Sequence, residues 1–233
     1  MRIYLIRHAD PDYPNKTITE AGHLEAKALA PRLRSEGINR IFVSPLRRAI
    51  HTMQYTADLL KLDYEVIDWV QEIGGFGVDR EVFGTTVAWN ITGEIMRSRP
   101  RFDQDNWHNQ PPFDDPKFRG RYEELVQNSD AFFEDCGYCR KEGAYEIVSG
   151  NRDRIAVFCH AGFGMTWLAH ILDLPVPLVW SGFFLAPSSV TTILFDERDD
   201  KIATPRALSI GDTSHLYSAG LKVQPAGIIA NYD

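Results

Sequence analysis

The feature that most constrains this chain is the run Ile3-Tyr4-Leu5-Ile6, halted at once by Arg7-His8. Four consecutive apolar residues with β-formers at three of the positions read as a strand buried on both faces. Such a strand belongs in a sheet that has helices on each side. Asp10-Pro11-Asp12 then supplies turn chemistry. A cation and an imidazole therefore stand at the C-terminal end of a buried strand, the edge at which open α/β sheets bind ligands.

The rest of the chain extends that pattern. Thr19 is placed to cap a helix that carries Leu24, Ala28, Leu29 and Leu33 on its apolar face and ends at Gly37. Pro31 should kink or shorten it. Residues 41–43 form a second buried strand. Ser44-Pro45 opens the next helix, with Ser as cap and Pro in the first turn, and Ile50, Met53, Ala57 and Leu60 on one face. Residues 64–67 give a third strand. From Gly74 to about Lys117 the periodicity fails, and Phe76, Phe83, Trp89, Phe102, Trp107 and Phe113 are scattered among charges, with one helix expected near 85–96. So aromatic a stretch reads as a cap over a binding site, since linkers are aromatic-poor. A helix follows over 118–137, then strands at 145–148 and 155–158 read as a hairpin about the polar turn 149–153. A helix over 165–172 and strands at 189–195 and 206–210 complete the chain. The expected architecture is one α/β domain over 1–233, a three-layer sandwich whose mainly parallel central sheet is flanked by helices, with a cap inserted at about 74–117.

Charge and cysteine usage narrow the function. The net charge of −7 and the lack of a basic tract argue against nucleic acid or an anionic membrane as partner. The longest apolar run, 174–187, is broken by Pro175, Pro177 and Gly182, so it reads as no membrane span, and no signal peptide is legible at the N-terminus. Three cysteines, an odd number, speak for thiols in a reducing cytoplasm. Cys136 and Cys139 have the spacing of half a zinc or redox site, without a second pair.

A second apolar run also ends in a histidine, Cys159-His160, followed by Ala161-Gly162. In a doubly wound sheet His8 and His160 can meet at one crevice. Arg7 adjoins the first, and Arg47 and Arg48 lie one turn into the helix after the second strand, Arg47 being the expected solvent-facing neighbour. Helix N-termini and the Ala161-Gly162 turn add backbone N–H groups. Imidazoles, guanidinium forks and positive dipole ends at one point make an anion site, for which phosphate is the natural occupant.

These motifs resemble those of the histidine phosphatase superfamily, the group that includes cofactor-dependent phosphoglycerate mutases. Arg7-His8-Ala9 resembles the family's Arg-His-Gly, and Ser44-Pro45-Leu46-Arg47-Arg48-Ala49-Ile50-His51-Thr52 its Ser-Pro-x-x-Arg-Ala-x-x-Thr. Ile18-Thr19-Glu20-Ala21-Gly22 is similar to its Leu-Thr-x-x-Gly, Gln71-Glu72-Ile73 to the segment with the acidic proton donor, and His160-Ala161-Gly162 to His-Gly-Gly. The chain departs at Ala9 and Ala161, which would be strained if those positions needed positive φ.

The resemblance implies a phosphomonoesterase acting on a small phosphorylated metabolite. His8 would become phosphohistidine, Arg7, Arg48, His160 and Ala161 would hold the phosphoryl oxygens, and Glu72 would protonate the leaving oxygen and then deprotonate water. Burial must raise the Glu72 pKa for that role, and Asp79 or Glu81 could take its place. No metal and no cofactor are expected. The alternatives are a phosphoglycerate-type mutase and a phospho-ligand sensor without turnover. Asp10 and Asp12 were expected to flank the pocket and repel polyanions, with Arg80, Arg97, Arg99 and Arg101 of the cap able to counter them by reaching inward. His23, His51, His108, His170 and His215 are expected to be structural.

Overall fold

The computed structural model describes residues 1–80 and 84–228, and the side chains among them outside 79–85. In chain order its strands are β1 (Arg2–Arg7), β2 (Pro11–Asp12), β3 (Thr17–Ile18), β4 (Arg40–Val43), β5 (Glu65–Val66), β6 (Gly77–Arg80), β7 (Gly84–Val87), β8 (Tyr138–Lys141), β9 (Ala144–Ile147), β10 (Arg154–Cys159), β11 (Val190–Glu197) and β12 (Ile202–Asp212). The helices are α1 (Glu20–Glu36), α2 (Arg47–Leu60), α3 (Gly93–Met96), α4 (Pro116–Asp135), α5 (Ala161–Ile171), α6 (Val176–Gly182) and α7 (Ser214–Ser218).

Eight strands form one mixed sheet in the order β5-β4-β10-β1-β11-β12-β9-β8. The parallel sheet announced by the β-α-β-α-β opening is its first half, β5 to β1. Antiparallel strands extend it beyond β1: β11 and β12, and β8 and β9, are joined by short turns, as antiparallel neighbours can be, while β1–β11 and β12–β9 pair strands remote in sequence. Successive β1 side chains point to opposite faces. Ile3 and Leu5 join the larger core under α4, α5 and the cap, and Tyr4 and Ile6 join the core under α1 and α2. The register pairs Arg7 with Cys159 and Val43 with Phe158, so His8, His160 and Ser44 stand side by side just past three adjacent parallel strand ends.

Several local expectations are corrected. The hairpin partner of Ala144–Ile147 is Tyr138–Lys141, through the two-residue turn Glu142-Gly143. Arg154–Cys159 lies instead between β1 and β4, where a continuous apolar run with five of six residues buried fits a central parallel strand. The helix expected near 85–96 is strand β7, a 3-10 turn at Ala88–Asn90 and the single turn α3, as β-branched Thr85, Thr86 and Val87 favour. Helix α2 begins at Arg47 with Leu46 as N-cap, so Ser44 is not its cap. Thr19 does cap α1, its hydroxyl accepting from the Gly22 N–H, and Gly37 ends it at φ 73°. Pro31 leaves α1 unshortened; it sits on the exposed face, where the Lys27 carbonyl it deprives of a partner is open to water. On that helix Leu24 is exposed and Glu25 is buried, the reverse of the amphipathic reading.

The segment after Gly74 covers a surface, as its aromatics suggested. Phe76, Trp107 and Phe113 pack edge-on against Trp180, with Phe102 behind Phe113. Phe83 and Glu81 lie outside the described residues, as do the side chains of Asp79 and Arg80. Among the described residues no helix is long and apolar enough to cross a membrane.

Candidate active site

His8 leaves the end of β1 with its ring buried. Its Nδ1 lies 2.8 Å from the Ala9 carbonyl. A carbonyl can only accept, so Nδ1 carries the proton and Nε2 keeps its lone pair. Burial, then the charge of Arg7, hold the imidazole well below its ordinary pKa, with Arg48 adding to them, so the ring is neutral at neutral pH.

The loop beyond His8 is held from three sides. The Ala9 N–H donates to Thr52 Oγ1 at 2.9 Å, and the same hydroxyl donates to the Arg48 carbonyl at 2.7 Å, tying the end of β1 to the first turn of α2. The Asp10 N–H donates to buried Glu25 Oε2. The Thr19 N–H donates to the Asp10 carbonyl, and a Cβ on Gly22 would lie 2.6 Å from that oxygen, so only glycine fits there. Neither Ala9 nor Ala161 has positive φ, so both replacements of glycine are unstrained.

His160 follows β10, and its ring centroid is 5.1 Å from that of His8. Its Nε2 is 2.8 Å from Ser44 Oγ, which also accepts from the Leu46 N–H. The Ser44 contact engages Nε2 and leaves Nδ1 as the ring nitrogen without a partner. Buried Arg7 is anchored by donation from Nη1 to the Leu185 carbonyl at 2.7 Å. Three buried nitrogens here have no partner in the protein: Arg7 Nε, Arg48 Nε and His160 Nδ1. Buried polar nitrogens are rarely left so, and these lie on the residues that the strand ends and α2 gather about His8. The set fits an anion rich in acceptors.

Glu72 takes the place expected for phosphate at the start of α5. Its carboxylate accepts from the Phe163 N–H at 2.8 Å and the Gly162 N–H at 3.3 Å. Those two first-turn donors are therefore used by Glu72, and Ala161 contributes by lining the cavity. Burial raises the carboxyl pKa, and the N–H donors and Arg7 oppose it without cancelling it.

His8, Arg7, Arg48, Glu72 and Ala161 line one cavity of about 590 Å³. His160 stands behind its wall. Tyr13, with its ring 5.8 Å from the Arg48 guanidinium, and Trp89, Asn90, Trp180, Phe183 and Phe184 are also in the lining. Trp89 comes from the aromatic cap expected over a binding site; sequence reasoning missed the other five, of which only Tyr13, close after His8, had a positional signal. Asp10 and Asp12 do not line it. Asp10 accepts from the Thr19 hydroxyl and Asp12 from Asn15, so both are turn residues. Arg97 does not reach inward either: it donates to the Ser181 carbonyl and hydroxyl at the rim. Gly162 touches the cap directly, since a Cβ there would lie 2.5 Å from the Trp89 ring. His23, His51, His170 and His215 take polar partners elsewhere. Buried Cys136 accepts from Arg40, and among the described residues no group of three His, Cys, Asp or Glu gathers as metal ligands would.

A buried strand-end histidine thus stands beside a second, with two buried guanidinium nitrogens left unpartnered, in an α/β fold. Residues 3–206 match the model of the histidine phosphatase superfamily (branch 1), and the chain belongs to that family. Its fold is shared with phosphoserine phosphatase from Entamoeba histolytica, solved with phosphoserine, at a TM-score of 0.61 and 18% identity over 92% of this chain and 98% of the other. A mycobacterial glucosyl-3-phosphoglycerate phosphatase aligns at a TM-score of 0.55 and 19% identity, covering 90% and 97%. A protein described as a putative alpha-ribazole-5'-P phosphatase from Escherichia coli aligns at 0.56 and 16%, covering 91% and 98%. A search of curated proteins finds no match.

Proposed function

We propose that the protein is a phosphomonoesterase that hydrolyses a small phosphorylated metabolite through a phosphohistidine on His8. The observation that carries this reading is the unprotonated Nε2 of His8 in a site where the buried Nε donors of Arg7 and Arg48 and the Nδ1 of His160 have no protein partner. His8 Nε2 attacks phosphorus while the bond to the leaving oxygen breaks, and Glu72 gives that oxygen its proton. The Glu72 carboxylate then takes a proton from water as the hydroxyl attacks the phosphohistidine, and phosphate and His8 are regenerated. The cations stabilise charge on the transferring oxygens, so this chain's own groups supply what a metal would otherwise supply. The three cysteines are free thiols, which suits a reducing cytoplasm.

Rapid acid-sensitive trapping with a labelled aryl phosphate should show one labelled histidine, lost in His8→Ala. Label on Ser, Thr or Cys, or near-normal turnover by His8→Ala, would refute the mechanism. Phosphate release and 2-/3-phosphoglycerate exchange are measured in parallel. Bisphosphate-dependent exchange with little free phosphate would make the protein a mutase, and a folded protein without turnover would make it a sensor.

A further inference from the structure

We infer that the cavity selects monoesters whose leaving group carries an aromatic ring. This specificity rests on the phosphatase reading above and assigns the part of the site that the reaction chemistry does not use. The phosphoryl end is held by Arg7, Arg48 and His8, which line the cavity. Above them the wall is aromatic and comes from two parts of the chain. Trp89 and its neighbours Val87 and Ile91 descend from the cap, while Trp180, Phe183 and Phe184 rise from the end of α6.

Trp89 and Trp180 meet at 6.3 Å and 64°, the edge-to-face geometry of a packed pair. Trp180 is 4% exposed and serves as a fixed backing. Trp89 and Phe183 are only half-buried and line the cavity, while Phe184 lies under the Arg7 guanidinium. Trp89 is not free to swing away, because its ring lies on Gly162 and packs on Trp180. The cavity's 590 Å³ leaves room above a phosphoryl group for a ring. A flat apolar body there can pack on Trp89 and Phe183, while Asn90 and Ser181 offer polar atoms at its margin.

The test separates ring recognition from leaving-group chemistry. Ethyl phosphate and 2-phenylethyl phosphate both leave through a primary alkoxide, and the ring stands two carbons from the oxygen. With the wild-type protein, kcat/KM for 2-phenylethyl phosphate should exceed that for ethyl phosphate at least tenfold, with the difference carried by KM. Trp89→Ala should shrink that ratio at least fivefold, and Trp89→Phe should restore most of it. Calorimetry on His8→Ala gives an arm independent of turnover, in which the phenylethyl ester should again bind at least tenfold tighter. Equal kcat/KM and equal binding for the two esters, or a preference for 3-phosphoglycerate over both, would overturn the inference. Absence of phosphate release from every ester would instead sink the phosphatase reading, and the binding arm would still decide whether the ring is recognised.

Discussion

Glu25 should make the fold less stable as pH rises through neutrality. Its side chain is buried beneath the loop that follows His8, with Oε2 accepting from the Asp10 N–H and Oε1 without a partner. Burial, and then the Asp10 charge, push its carboxyl up to about 7, against the opposing Asp10 N–H, Ser188 and Arg7. In the unfolded chain it titrates at about 4.3. Between those values the folded state binds the extra proton, so stability is full below about 4.3 and is lost as pH rises to about 7. The difference corresponds to about 3–4 kcal/mol, or roughly 6–16 °C in Tm for a chain of this size. Glu25→Gln keeps an oxygen for the Asp10 N–H and cannot ionise. Urea unfolding of both proteins at pH 4.5, 6, 7 and 8 should show the variant gaining on wild type by about 3 kcal/mol across the series, and then no further. Parallel stability–pH curves would show that Glu25 is not held protonated and that solvent reaches it.

Other expectations concern the reaction and the cap. Glu72→Gln should slow an alkyl phosphate at least tenfold more than nitrophenyl phosphate, whose leaving group needs little proton help; equal slowing with the fold intact would remove Glu72 from the acid role. Because the His8 pKa is lowered, neutral imidazole persists as pH falls through 6.5, so the acidic limb of kcat/KM should lie well below that value, and a limb at or above it would contradict the buried, cation-flanked environment. Gly162→Ala puts a methyl into the Trp89 ring and should cost about 1–3 kcal/mol with faster proteolysis in the cap; an unchanged Tm and cleavage rate would mean that the cap does not rest on Gly162. Activity should survive exhaustive chelation, and loss reversed by one divalent ion would refute the metal-free mechanism.

What could be read from the sequence was whatever local chemistry encodes. β1, β4 and β10 are short apolar runs that end in polar residues, so the strands and the placement of His8 and His160 at one edge followed from pattern alone. Thr19 and Gly37 marked α1 because capping is decided within a few residues. The partner of a strand is not so decided. Residues 155–158 were assigned to the nearest strand in sequence, yet their lack of alternation belonged to a strand covered on both faces, which takes them to the sheet centre. Ser44 misled for a related reason: Ser-Pro is a good helix opening, but its hydroxyl has a distant partner, His160, 116 residues away.

The cap resisted reading because its order comes from tertiary contact and not from local preference. Thr85 to Met96 contains too few helix formers to form a helix alone and too short an alternation to announce a strand. What fixes Trp89 is a face of α5 left bare by Gly162, and what fixes Phe76, Trp107 and Phe113 is Trp180, more than sixty residues later. The same fact separates the two halves of the site in kind. The half proposed to hold the phosphoryl group sits on strand ends and helix starts, whose geometry the backbone imposes, so its residues can be read from spacing. The half proposed to hold the leaving group is a surface made where two remote segments meet. Substitutions in 87–91 or 180–183 should therefore change which ester is bound while His8, Arg7 and Glu72 stay in place, since those three are held by the Ala9 carbonyl, the Leu185 carbonyl and the Phe163 N–H, all outside both stretches.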